Sequence, residues 1–455
     1  MTDNERKITL SAVLSDDTII ETVYDSKKGV TNFAITQGGK YQITDIFITE
    51  KGTPLQPFLA NSDLLTSNFL RLPSDVGKYE NNESLFGEVR DYIRKYVHLP
   101  NSFLTIATLY VIMTWVYDRF DTIPYLRVIG NYGTGKTRFL NVIGNLSYKG
   151  MMAGGSITTA ATFRTLDQIQ GTLVFDEADF RSSELWSEII KILNSGHTKN
   201  FPVIRMNVSN KKDGYETKSF KVYGPKILAS RERFGDEALE SRSLTQVMQP
   251  IINTDKPIHY QSSDNEAENI KNKLLAFRLK NYFKIEADES TVQELEFPRL
   301  KQSALAITTI AKFIGIPEVI SESLNFLKEY ERELTISQQS DVKADILICI
   351  GAVCKSEPDT KKLRIGEIAS IFSHDYYNDF TESLTKIAEI PNNAMSSRKI
   401  GSIVRKMGIK TERDGNGFYI PLPQELEKIK LLINRYGLKE LVDKRAEQRV
   451  TEGSF

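Results

Sequence analysis

Two cysteines, four histidines and two tryptophans are all that 455 residues hold of those three types. Cys349 and Cys354 lie in one helical pattern, at a spacing that suits neither a zinc site nor a disulfide framework. So little cysteine suits a reducing cytoplasm. A charge excess is also missing, since 59 lysines and arginines balance 59 aspartates and glutamates. No global basic footprint announces nucleic acid, so any such contact has to be local. Long apolar runs are absent. The richest, Ser102 to Tyr117, is too short to span a bilayer and is broken by Thr105, Thr108 and Thr114. It reads as a buried helix. The start, Met1-Thr-Asp-Asn-Glu-Arg-Lys7, has no apolar segment of the secretory kind. Internal repeats and low-complexity tracts are missing too. What remains is a cytoplasmic α/β chain, long enough for about three domains.

Against that plain background one stretch stands out, from Tyr125 to Met248. An apolar strand, Tyr125 to Ile129, runs into Gly130-Asn131-Tyr132-Gly133-Thr134-Gly135-Lys136-Thr137, followed by an amphipathic helix from Arg138 to about Leu146. Glycines let the backbone turn tightly enough for successive N–H groups to face a polyphosphate. The helix N-terminus adds its partial positive charge. In this motif Lys136 reaches the β/γ-phosphates and Thr137 offers its hydroxyl to Mg²⁺. Chance produces such a match in a chain of this length on the order of once in a hundred. A second apolar strand, Gly171 to Phe175, ends in Asp176-Glu177-Ala178-Asp179. Asp176 there serves the Mg²⁺ shell, and Glu177 orients or deprotonates the attacking water. The expected ligands are therefore ATP and Mg²⁺.

A third apolar run, Pro225 to Ser230, is followed by Arg231-Glu-Arg-Phe-Gly-Asp-Glu-Ala-Leu-Glu-Ser-Arg242 and a last strand, Leu244 to Met248. Loop, acidic strand, a strand ending in a hydroxyl, then D-x-A-L-x-S-R resembles the AAA+ ATPase superfamily. The resemblance implies that Ser230 is sensor 1 and Arg242 an arginine finger directed at a neighbouring subunit's γ-phosphate. The segment from Asp176 to Arg242 also resembles ATPases of phages, plasmids and other mobile elements. The likeness covers about the middle third of the chain. Between the acidic strand and Ser230, Phe201–Val208 and Tyr215–Tyr223 alternate around Lys211-Lys212-Asp213-Gly214, a hairpin signal. An insertion there resembles the presensor-1 hairpin of hexameric superfamily 3 and minichromosome-maintenance helicases. By that likeness Lys211 and Lys212 grip the DNA backbone inside a ring, a hexamer by analogy.

The flanks have their own patterns. Residues 1–78 read as a small β-rich module and 79–122 as a helical lead-in to the 123–252 core, whose hairpin spans 201–223. Residues 253–336 read as a helical lid, where Arg299, at a helix start, is the candidate sensor 2. Residues 340–423 have the pattern of a winged helix: a Ser-capped helix from Ser396, a glycine stop, then a Gly-rich two-stranded turn. Residues 396–410 carry Arg398, Lys399, Arg405, Lys406 and Lys410 with no acid, and Arg398 and Lys399 sit at the end that meets the major groove in helix-turn-helix docking. A charged helix fills 424–455. The expectation is a ring-forming, ATP-driven DNA helicase of a mobile element. Two alternatives are an initiator or loader that remodels DNA without processive unwinding, and an ATP-dependent switch that docks protein only.

Overall fold

The computed structural model describes residues 7–37, 40–154, 157–176, 184–208, 215–250, 256–257, 259–261, 265–339, 342–372 and 396–452. The chain divides into two compact units, Met1–Lys328 and Glu329–Phe455.

The first unit is a mixed α/β fold around a six-stranded sheet. In spatial order its strands are Ser243–Val247, Tyr125–Ile129, Lys226–Ser230, Leu173–Phe175, Gly150–Ala153 and Leu70–Arg71. The first five are parallel, and Leu70–Arg71 closes the edge antiparallel to Gly150–Ala153. Tyr125–Ile129 and Lys226–Ser230 are buried at every residue, as strands covered by helices on both faces must be. Parallel pairing brings the carboxyl ends of these strands to one edge. There Ile129 sits beside Ser230, and Phe175 beside Leu228. Hence the glycine loop after Ile129, the hydroxyl of Ser230 and the carboxylate of Asp176 share that edge. The amino ends, at Tyr125 and Ser243, form the opposite one.

Before this sheet come a four-stranded antiparallel sheet between Ser11 and Thr44 and a three-stranded one built from Lys7–Thr9, Pro54–Pro57 and Phe47–Ile48. Helix Asn82–Tyr96 follows, started by the Asn81 side chain accepting from the Ser84 N–H, and then helix Asn101–Thr114. From Phe103 to Thr114 every residue of this second helix is buried. Its threonines stay satisfied: Thr108 donates to the Leu104 carbonyl, Thr114 to that of Val111, and Thr105 to Glu322. Among the described residues no helix is long and apolar enough to cross a membrane. Helices Asn265–Asn281 and Pro298–Ile314 pack on these elements from the carboxyl-terminal side.

A buried polar cluster ties the pieces together. Arg278, on helix Asn265–Asn281, donates through Nε to Glu21 (2.7 Å), through Nη1 to the Trp115 carbonyl (2.6 Å), and as a fork to Asp118 (2.9 Å on each oxygen). Tyr148, just after the loop helix, donates to Glu21 as well (2.8 Å). Arg278 and Glu21 have side chains 2% and 3% exposed, so this pair lies in a low-dielectric interior. The Asp118 carboxyl is held below its ordinary value, Arg278 overcoming the opposing effect of burial.

The second unit has a three-stranded antiparallel sheet ordered Lys362–Arg364, Gly417–Pro421, Glu412–Asp414. Helices Val342–Ser356, Ser397–Lys406, Leu422–Arg435 and Lys439–Glu452 surround it. Its core joins Leu347, Ile350, Leu363, Ile400, Val404 and Ile420. Helix Ser397–Lys406 is capped by the Ser396 hydroxyl, buries Ile400 and Val404, and turns its charged residues outward.

Candidate functional site

The glycine loop is shaped before any ligand arrives. Gly133 and Gly135 have φ of 75° and 88°, a left-handed conformation that side chains with a Cβ disfavour. A Cβ at Gly130 would meet Thr134 Oγ1 at 2.6 Å and the Met248 carbonyl at 2.9 Å. Thr134 is buried and donates to the Asn131 carbonyl at 2.9 Å, so it braces the loop with its side chain and leaves only backbone for a ligand. Lys136 folds over the loop, its ammonium on the carbonyls of Gly130 (2.7 Å) and Asn131 (2.8 Å). Thr137 donates to Asp176 Oδ2 at 2.9 Å, joining residues 39 apart in sequence.

These groups line a cleft of 360 Å³ together with Tyr132, Arg138, Ser230 and Arg231. A polyphosphate fits this lining: backbone N–H groups at a helix start, one ammonium, and a hydroxyl–carboxylate pair. Mg²⁺ fits the pair, because it keeps several waters and needs only one or two protein oxygens plus the phosphates. No cluster of three or more His, Cys, Asp or Glu able to hold a metal occurs among the described residues. Ser230 Oγ donates to the Glu232 carbonyl at 2.8 Å, so its hydroxyl sits at the cleft but is engaged with its own loop. Glu177 lies outside the described residues. One feature went unread in the sequence: the Arg231 guanidinium stacks over the Tyr132 ring, 4.2 Å from its centroid, and walls one side of the cleft. Only the pairing of the two strands reveals it.

Arg242 is at the other edge of the sheet. Its carbonyl accepts from the Tyr125 N–H, at the amino end of the strand whose carboxyl end feeds the glycine loop. Its guanidinium donates through Nε to His197 Nε2 (3.2 Å) and through Nη1 to Asn194 Oδ1. Arg299 Nη2 approaches the same His197 Nε2 at 3.4 Å. Arg299, the candidate sensor 2, is thereby brought beside Arg242. Arg299 lies on helix Pro298–Ile314, and the fold carries its first turn to the amino edge of the sheet.

His197 Nδ1 faces the Asn194 carbonyl at 3.0 Å, which fixes the tautomer with its proton on Nδ1 and its lone pair on Nε2. Burial, then Arg242 and Arg299, push the imidazole from an ordinary 6.5 down to about 4. Between those values the unfolded chain binds more protons than the folded one, so stability present above pH 6.5 is lost as pH falls towards 4. His197→Gln has no such titration. Melting curves of both proteins across this range are expected to show the wild type losing ground as pH falls.

The hairpin is present as Val203–Val208 paired with Tyr215–Phe220 in antiparallel register. Lys211 and Lys212 lie outside the described residues. At its foot is a residue the sequence did not advertise. Lys226 is fully buried, its ammonium held by the carbonyls of Gly196 (2.8 Å), Val222 (2.7 Å) and Gly224 (2.8 Å). It clamps the exit of the hairpin to the residue just before His197. In the second unit Arg398, Lys399, Arg405, Lys406 and Lys410 are all exposed. Among the described residues none of the five side-chain cations has a carboxylate within 4.0 Å, though the Lys410 backbone N–H donates to Glu425 at 3.1 Å, whereas Lys362 and Arg364 are taken up by Asp414.

No family model matches this chain, and no curated protein does. Solved structures do resemble it. An active helicase named Cch from SCCmec type IV is 12% identical, with 91% of this chain and 98% of that one covered at a TM-score of 0.40. The apo C-terminal region of NrS-1 is 10% identical over 88% of this chain and 96% of that one, with a TM-score of 0.31. The JCV helicase is 14% identical over 56% of this chain and 63% of that one, with a TM-score of 0.24. At scores this low the superpositions are loose, and the chemistry of the site is read from this chain's own residues.

Proposed function

We propose that the chain is a Mg²⁺-dependent ATPase of AAA+ type that assembles as a ring and drives DNA through it. On this reading it is a helicase or translocase in the replication of a mobile genetic element. The observation that carries the nucleotide reading is the Thr137–Asp176 hydrogen bond beside Lys136, in a cleft preshaped by left-handed glycines. On ATP binding Lys136 leaves the Gly130 and Asn131 carbonyls for the β/γ-phosphates. Thr137 and Asp176 would hold Mg²⁺, which would offset phosphate charge. Glu177 takes the proton of the attacking water, and Ser230 turns its hydroxyl to the γ-phosphate. Arg242, too far from its own cleft, serves the neighbour's. The hairpins, with Lys211 and Lys212, grip the backbone, and the second unit, as a winged helix, loads duplex through Arg398, Lys399, Arg405 and Lys406.

Lys136→Ala is expected to abolish ATP binding in a fluorescent-nucleotide titration, while Glu177→Gln binds ATP normally and stalls hydrolysis. Unchanged affinity in the lysine variant would remove the site. For the winged helix, each lost phosphate contact reduces the slope of log affinity against log salt by about one unit. Arg398→Ala with Lys399→Ala is therefore expected to flatten that slope by about two units in duplex binding. An unchanged slope would favour a protein-docking role for this unit.

A further inference from the structure

We propose that His197 is the positioning residue for Arg242 and Arg299, presenting the two guanidiniums side by side as one anion site for the adjoining copy's nucleotide. This rests on the ring reading above and adds to it a group outside the phosphate machinery. Three observations carry it.

First, both guanidiniums converge on one atom, His197 Nε2, at 3.2 and 3.4 Å. A single acceptor shared by two cations sets their spacing. Second, that acceptor is neutral. Apart from His197, the partners are amides: Asn194 for Arg242, and Gln302 for Arg299 at 3.4 Å. Among the described residues no carboxylate lies within 4.0 Å of either guanidinium. The nearest acid in the network, Asp236, bonds the far side of the Asn194 amide at 3.1 Å and reaches Arg242 only through it. A carboxylate at position 197 would cancel one of the two positive charges. An imidazole orients it and leaves its charge available for a phosphate. Third, the imidazole is itself fixed, by the Asn194 carbonyl on Nδ1 and by its own carbonyl accepting from the Ile123 N–H at 3.0 Å. Lys226 secures Gly196 immediately before it.

The test uses the full chain with steady-state ATP turnover, nucleotide affinity and thermal melting. His197→Ala is expected to lower kcat by about 10²-fold, the cost of a misplaced charged group, with KM nearly unchanged. His197→Gln keeps a neutral acceptor and is expected to restore most of the loss. His197→Glu is expected to melt no lower than wild type yet turn over as slowly as the alanine variant. In an Arg242→Ala background the further change His197→Ala is expected to cost much less than it does alone. Wild-type kcat in folded His197→Ala would overturn the proposal, as would equal rates for the glutamine and glutamate variants. Should the alanine variant not fold, that last comparison decides alone. If Arg242→Ala turns over like wild type, the arginine-finger reading falls and this proposal with it. If Arg242→Ala is inactive while His197→Ala is not, this proposal falls by itself.

Discussion

Arg242→Ala is expected to cut ATP turnover by on the order of 10³-fold while leaving ATP affinity intact. The geometry makes this loss informative. Arg242 hangs from the amino end of strand Tyr125–Ile129, and the phosphate loop begins at its carboxyl end. Five residues at about 3.3 Å each put roughly 16 Å of strand between them. A guanidinium there cannot touch the phosphates of its own subunit, so a turnover defect without a binding defect assigns its action to a neighbour. The measurement is a coupled ATPase assay beside a nucleotide titration. Loss of affinity together with turnover would instead mean that Arg242 supports the sheet edge through Asn194 and His197.

The second large effect concerns stability. Arg278→Met is expected to lower the unfolding free energy by about 3–5 kcal/mol, the cost of stranding a buried carboxylate. Glu21, 3% exposed, would keep only the Tyr148 hydroxyl, and the Trp115 carbonyl and Asp118 would lose a donor. Arg278→Lys is expected to rescue poorly, because one ammonium cannot serve Glu21, Trp115 and the Asp118 fork together. Urea unfolding followed by tryptophan fluorescence reads the change directly, since Trp115 lies in this cluster. A shift below about 1 kcal/mol would place the cluster's weight in packing alone.

How much of this was legible in the residues differs from one piece to the next. The glycine loop and the acidic strand were plain because their chemistry is local: Gly130 to Thr137 is contiguous, and Asp176 ends an apolar run. The hairpin strands were visible in their alternation. Arg299 was read as a sensor from its place at a helix start, but its neighbour His197 depends on where helix Pro298–Ile314 lands, and no local pattern encodes that. Arg278 and Glu21, 257 residues apart, looked like ordinary surface charges until the fold buried both. His197 and Lys226 were silent for the same reason. A histidine after a glycine and a lysine within an apolar run carry no signal until their partners, Arg242 on one side and three backbone carbonyls on the other, are brought to them.

The central claim is that catalysis is completed between copies of this chain, and mixing two inactive variants tests it most directly. Lys136→Ala lacks a competent cleft but keeps Arg242; Arg242→Ala keeps its cleft but offers no finger. In a random equal mixture about one interface in four joins an intact cleft to an intact finger, so turnover is expected to recover to about a quarter of wild type. Turnover that stays at the sum of the two inactive proteins at every mixing ratio would contradict the ring.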